Sequence, residues 1–400
     1  MGLLGSVGRL GSFRPWLIAG TAVALAAVSG CGGSAPKQGA ATDADYPGLP
    51  HTTVQVSPGS CGTGWTKPQA GLQVFEVSNT GSTPADAYLK NPSTGAVMGE
   101  IEGLGPGTSR PMLVRLTAGT YAFSCLPQDT DTITGPTVVV SGGDGASTPA
   151  VVPVTQQDLI PPTLAYQKWV AAQLPALITA VQAVQAAVDS GDTAAAERAW
   201  LPAHLDYERL GAAYGTFGDL DGSINGTTKG LPGGLTDPGF TGFHRLEYGL
   251  WHGQSAASLR PVAAQLTKDV EQLRSDWAKA QMNPLDLGLR AHEIVENTIQ
   301  FELTARTDYG SGSNLATAQA NLQGTAESLA LLRPLLVPRM PSLPAIDAAM
   351  KAASNEVSAL GSVPLSKLST AQREQLNAVF GGLVTELAPV AAVCDVRRSS

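Results

Sequence analysis

Residues 166–192 read YQKWVAAQLPALITAVQAVQAAVDSGD. Apolar side chains recur every three to four positions, the period of a helix that lays one face into a core. The run stops at Ser190-Gly191-Asp192, a helix-ending cluster. From about residue 155 onward Ala, Leu and Gln are dense and strand signals vanish. Downstream lie TAAAERAWLPAHLDYERLGAAYG, the Gly/Asp-rich loop TFGDLDGSINGTTKGLPGGLTDPG, FTGFHRLEYGLWHG and a helix from about Ala256 to Met282. NPLDLGLRAHEIVENTIQFEL, NLATAQANLQGTAESLALLRPLL and two more helical segments reach about residue 390. Residues 156–392 are therefore expected to form an all-α domain of one or two antiparallel bundles.

Upstream the texture differs. Between 51 and 142 short alternating runs, TTVQVS, LQVFEVSN, PMLVRL, TYAFSC and PTVVVSG, are separated by turn clusters such as NTGST and GLGPGTS. That pattern predicts a small β-sandwich. The fold class is thus an α+β multidomain chain, with a β-sandwich before a helical bundle. Residues 143–155 read as a linker, and 31–50, rich in Gly, Ala and Pro, as a tether that cannot bury a core.

The first thirty residues read as a signal peptide. Arg9 and Arg14 precede WLIAGTAVALAAV, an apolar run too short for a spanning helix, and then VSGC ending at Cys31. A small-residue site ending in Cys resembles a bacterial lipobox. Cys31 is the expected lipidation site, and no later segment has an uninterrupted apolar run long enough to span a bilayer. The expected location is extracytoplasmic, lipid-anchored to the cell membrane in the cell envelope or periplasm. Formal net charge is −8, and loss of the leader leaves about −10. Such a balance excludes a nucleic-acid partner, which needs a basic footprint.

Five histidines occur in 400 residues, and four fall between 204 and 292. His204 precedes Glu208 by four, His244 precedes Glu247 by three and His292 precedes Glu296 by four. Each pair shares a helix face. A carboxylate inside a bundle costs several kcal/mol unless paired or bound to a cation. Imidazole with carboxylate suits iron, zinc or copper, and bundles build such sites from inward-facing Glu and His. The neighbours Phe243, Leu246 and Leu250 argue that the 244/247 pair is buried. Exposed ion pairs are the plainer reading of the other two, and His252 reads as a partner of a helix C-terminus.

Other chemistries fare less well. HEIVE, 292–296, lacks the second histidine of H-E-x-x-H. GDLDG, 218–222, reads as a solvated turn, because the remaining EF-hand ligands are absent. The β region lacks the two His of a blue-copper site. Cys61 and Cys125 could pair in an oxidising compartment, and Cys394 is left over.

Taken together, GFHRLEYGLW at 242–251 resembles the G-x-H-x-x-E signature of the imelysin family. AWLPAHLDYERL followed by FGDLDGSIN, with the order lipobox, two-Cys β region and helical region, is similar to the EfeO-like branch of that family. The resemblance implies a cupredoxin-like β domain and an imelysin-like helical domain. It implies iron bound outside the cytoplasmic membrane, with iron the expected metal and zinc or copper possible substitutes. It implies two partners, an iron permease in the membrane and a haem-containing peroxidase-like protein. His244 and Glu247 are then the expected ligands, with Glu208 and His204 as further contributors and His292 and Glu296 as reserves. Glu100, Glu102, Cys61 and Cys125 occupy places resembling a second metal site. One departure stands out. EfeO-like proteins usually carry a charged segment with a His and an acid after the HEIVENTIQFEL helix, and here TARTDYGSGSNLAT has no His and is rich in Ser, Gly and Asn. The expected function is metal capture and delivery to a permease, without enzymatic activity. A metallopeptidase using Glu293 or Glu208 as base, or a surface adaptor without metal, are the alternatives.

Overall fold

Thr155 opens the helical part with a capping box: its hydroxyl accepts from the Asp158 N–H, and the Asp158 carboxylate accepts from the Thr155 N–H. The computed structural model describes residues 46–128, 130–143 and 145–397. The leader and Cys31 lie outside them.

Among the described residues nine strands precede ten α-helices. The strands are β1 (His51–Ser57), β2 (Ser60–Thr63), β3 (Gly71–Asn79), β4 (Ala85–Lys90), β5 (Val97–Leu104), β6 (Ser109–Leu116), β7 (Gly119–Pro127), β8 (Ile133–Thr134) and β9 (Val138–Val140). One sheet has the order β2-β1-β3-β6 and the other β5-β4-β7-β8, with β9 also paired to β7. β1 and β3 run parallel, and the other pairs are antiparallel. Alternate residues of both sheets, Val54, Phe75, Val114, Leu89 and Phe123 among them, pool in one core. Trp65, Phe75 and Phe123 meet edge to face there. Cys61 on β2 and Cys125 on β7 form a disulfide that staples one sheet to the other. This is the expected β-sandwich of cupredoxin-like class, with β2, β4, β5 and β8 added to the strands legible in sequence.

The helices are α1 (Gln156–Ser190), α2 (Thr193–Glu208), α3 (Tyr214–Phe217), α4 (Asp219–Asn225), α5 (Gly242–Trp251), α6 (Ala256–Trp277), α7 (Asp286–Asn297), α8 (Asn314–Leu336), α9 (Leu343–Leu360) and α10 (Thr370–Cys394). α1 packs on α2 and α6, and α5 closes on α2 and α6. α10 packs on α7 and α9, and α8 joins the two groups by touching α1, α2, α7 and α9. One continuous core runs through both groups. α6 stops at Trp277, five residues earlier than its pattern suggests. The Gly/Asp-rich loop contains α3 and α4 and is not wholly irregular.

Two helices, α1 and α10, are long and apolar enough to cross a membrane by length and composition, contrary to the reading of the sequence. Each lays one apolar face into the bundle core, Val170, Leu177 and Val184 on α1 and Phe380, Leu383 and Leu387 on α10, while Ile160 and Leu164 on α1 stay exposed. A core helix of a soluble bundle meets the same criterion.

The sandwich and the bundle belong to one compact unit. Val97 and Val151 exchange two backbone hydrogen bonds, and the Val154 N–H donates to the Val393 carbonyl at 3.0 Å. Beyond α10, Arg397 reaches back to grip both oxygens of Glu100 on β5, at 2.9 and 3.0 Å.

Candidate metal site

Five separate elements, α2, α4, α5, α8 and the turn after α7, bring polar side chains into the bundle. On α2, Trp200 lies one turn before His204 and stacks on its ring at 4.7 Å. The Trp200 indole N–H donates to the Phe243 carbonyl at 3.0 Å and so ties α2 to the first turn of α5. His204 and Glu208, one turn apart, are 2% and 6% exposed. His204 Nε2 stands 3.1 Å from both Glu208 Oε1 and Asn225 Oδ1, and the Asn225 amide donates to Glu208 Oε1 at 2.7 Å. Turned so that its nitrogen faces Glu208, the Asn321 amide from α8 donates to Glu208 Oε2 at 3.0 Å. Burial pushes the Glu208 carboxyl up, but bonding to His204 and Asn225 outweighs it and holds the group below its ordinary value. Burial opposes a charge on His204 as well. The bond to Glu208 and the charges of Glu208, Glu247 and Glu302 nonetheless raise its proton affinity. Its Nδ1 is buried with no partner among the described residues.

α5 starts at Gly242, with φ at +73°. A Cβ there would lie 2.0 Å from the Ile224 carbonyl oxygen, so only glycine lets α5 begin against the end of α4. That contact aims His244 and Glu247 inward, at 2% and 1% exposure. His244 Nδ1 is 3.3 Å from Glu247 Oε2. The other oxygen of Glu247 accepts from the Tyr309 N–H (3.1 Å), the Ser311 N–H (3.1 Å) and the Ser311 hydroxyl (2.5 Å). Burial raises the Glu247 carboxyl, and the bonds from His244 and Ser311 more than offset it, so it stays ionised. An ionised acceptor at Nδ1 fixes the proton there and frees the Nε2 lone pair. The rings of His204 and His244 meet edge to face with centroids 5.4 Å apart.

The turn after α7, the fifth contributor, escaped the sequence reading. After α7 the chain makes a π-helical turn, Thr298–Glu302, that turns Glu302 inward at 7% exposure. Thr307 donates to its Oε1 at 2.6 Å and Asn314 to its Oε2 at 2.9 Å. Burial first, then the negative charge of Glu208, pushes its carboxyl up to about 7. Glu208, His244 and Glu302 line one cavity of about 320 Å³, together with Asp221, Asn225, Asn321, Tyr214, Arg290 and Lys229. Asp221, read from sequence as part of a solvated turn, is instead held on α4 and accepts from the Tyr207 hydroxyl at 2.6 Å; burial raises it to about 6. The TARTDYGSGSNLAT segment supplies Thr307 to Glu302 and Tyr309 and Ser311 to Glu247.

His204, Glu208, His244 and Glu247 thus converge, as their spacing suggests. His292 and Glu296 do not join them. Two positions either side of Ile294, whose side chain faces the cavity, they project from the opposite face of α7, 3.7 Å from each other. Glu293, the candidate peptidase base, is paired with Arg290 at 2.7 Å. In the sandwich, Cys61 and Cys125 are consumed by their disulfide in the core, Glu100 is exposed and bound by Arg397, and exposed Glu102 accepts from Tyr88 at 3.1 Å. The four do not come together. His252 caps α5, its Nδ1 2.9 Å from the Tyr248 carbonyl. Among the described residues, no three His, Cys, Asp or Glu side chains stand close enough to hold one ion as now arranged. Their oxygens are engaged by the hydrogen bonds above, which an ion must displace.

Compared with known proteins, the chain matches the family model described as Imelysin, which carries a peptidase label, over residues 163–390. The chain belongs to the imelysin family. The match covers the bundle from α1 to α10. Among relatives of this imelysin are proteins named "Iron uptake system component EfeO" from Escherichia coli (strain K12), Shigella flexneri and Shigella sonnei (strain Ss046). Each is 29% identical over 307 residues, 74% of this chain and 79% of the relative.

Proposed function

We propose that this imelysin is the extracytoplasmic metal-binding component of an iron-uptake system, capturing iron in the bundle cavity and passing it to a membrane permease. One observation carries the reading: two buried carboxylates and a buried imidazole from α2, α5 and the turn after α7 line one cavity in a protein whose relatives are named for iron uptake. Glu208, Glu302 and His244 line the cavity, and with Nδ1 beside Glu247 the His244 nitrogen left to serve as donor is Nε2. Glu247 grips Nδ1 of His244 from behind and His204 backs Glu208, as outer partners orient metal ligands. Three donors leave coordination positions open on an iron ion, which suits a carrier that must release its cargo. Lipid attachment at Cys31 and a haem-containing peroxidase-like partner complete the proposed setting. A binding role without catalysis fits the relatives' name; Glu293, one of the two bases considered for a peptidase, is paired with Arg290.

Titration calorimetry with Fe(II) under anaerobic conditions tests the assignment. His244→Ala and Glu208→Ala should each weaken binding at least tenfold while the far-UV circular dichroism stays helical. Unchanged affinity in both variants would overturn the site.

A further inference from the structure

The cavity wall carries a contradiction for a bare cation. Two positive side chains, Lys229 and Arg290, line the same cavity as the acids, and Arg290 is near enough to Asp221 to favour its charged form. Among the described residues Lys229 forms no ion pair; its ammonium lies 5.9 Å from the Phe301 ring. Arg290 spends one nitrogen, Nη1, on Glu293. Its Nη2 passes over Gly215, where a Cβ would sit 3.1 Å away, so the missing side chain gives the guanidinium room at the cavity. Like charges at the wall oppose a naked metal ion and attract an anion. Size points the same way. A water takes roughly 30 Å³, so about 320 Å³ holds far more than one ion and its few remaining waters. The lining carries acids that suit a metal and bases that suit an anion accompanying it.

Resting on the metal-binding reading, we propose that the cavity takes its metal together with a small chelating polycarboxylate. One carboxylate of that anion fills open coordination positions on the ion, and another is held by Lys229 and Arg290. Arg290 offers a planar fork that matches a carboxylate, and Lys229 a mobile point charge.

Malonate, a weak chelator, is the probe, with Zn(II) as redox-inert metal and inorganic phosphate as a parallel arm. By calorimetry, Zn-loaded protein should bind malonate at least tenfold tighter than metal-free protein does. The K229A/R290A variant should lose that gain, yet bind Zn(II) slightly more tightly in malonate-free buffer, because two repelling charges are gone. K229E, a change at an exposed position, should show the same loss if the double variant folds poorly. Equal malonate affinity with and without zinc, or a gain that survives both variants, overturns the inference and leaves the metal site standing. Enhancement by phosphate alone overturns the polycarboxylate class. Absence of zinc binding in every buffer overturns both this inference and the reading beneath it.

Discussion

At the scale of single residues the site is a set of acids with opposed proton affinities. Glu302 keeps its proton up to about pH 7, whereas an unfolded glutamate loses it near 4.5. Between those values the folded chain binds more protons, so this group's contribution to stability is full below pH 4.5 and is lost as pH rises to 7, about 3 kcal/mol in all. Glu302→Gln should therefore raise the melting temperature at pH 8, leave it nearly unchanged at pH 4, and weaken metal binding at least tenfold. A Gln variant less stable at pH 8 would refute the account. Glu247→Gln tests the outer layer. A single amide oxygen cannot serve both His244 and the Tyr309 and Ser311 donors, and it carries no charge, so metal affinity should fall ten- to a hundredfold while the helical circular dichroism is retained. Calorimetry separates this graded loss from the null effect of a surface acid. His204, Glu208, His244 and Glu247 were legible in sequence because a regular helix converts spacing of three or four into a shared face. Glu302, Asn225 and Asn321 were not, because their meeting depends on tertiary packing and, for Glu302, on a turn that leaves the helical period.

Among elements, the junction of α4 and α5 decides how the site is aimed. Gly242→Ala should destabilise the protein by about 2 kcal/mol or more, from the positive φ and the approach to the Ile224 carbonyl, read as a lower denaturation midpoint. A neutral result would mean that α5 can start elsewhere. Helices were easy to see wherever the apolar period ran long, as in α1, with its Thr155 box and Gly191 end. α4 was hidden in a segment rich in Gly and Asp, residues that signal turns. β4 and β5 were missed for a related reason: Gly99, Glu100, Glu102 and Gly103 interrupt the alternation, although Val97, Met98, Ile101 and Leu104 are buried. The segment 303–313 looked deficient because it has no histidine, yet its backbone N–H groups and a hydroxyl are what hold Glu247.

Across the whole molecule, two devices join what sequence divides. The Cys61–Cys125 bridge closes a loop of 64 residues and, by loop-closure entropy, stabilises the sandwich by about 4 kcal/mol. The double Cys→Ala variant should melt its strand signal at lower temperature while metal affinity in the bundle is retained; coincident loss of both would show that the site depends on the sandwich. Sandwich before bundle was foreseeable, since periods of two and of 3.6 are distinct. The clasp of Glu100 by Arg397 was not, because nothing local marks an arginine 297 positions away as a partner.

The hydrogen bond from Val154 to Val393 has a further consequence. It places the first and last residues of the bundle side by side, so the helices leave and rejoin the rest of the chain at a single doorway. Such a layout is that of a cartridge: a few residues could bridge the two ends, new termini could be opened in an exposed turn such as Gly361, and the cavity's walls would never learn that the thread had been rewound.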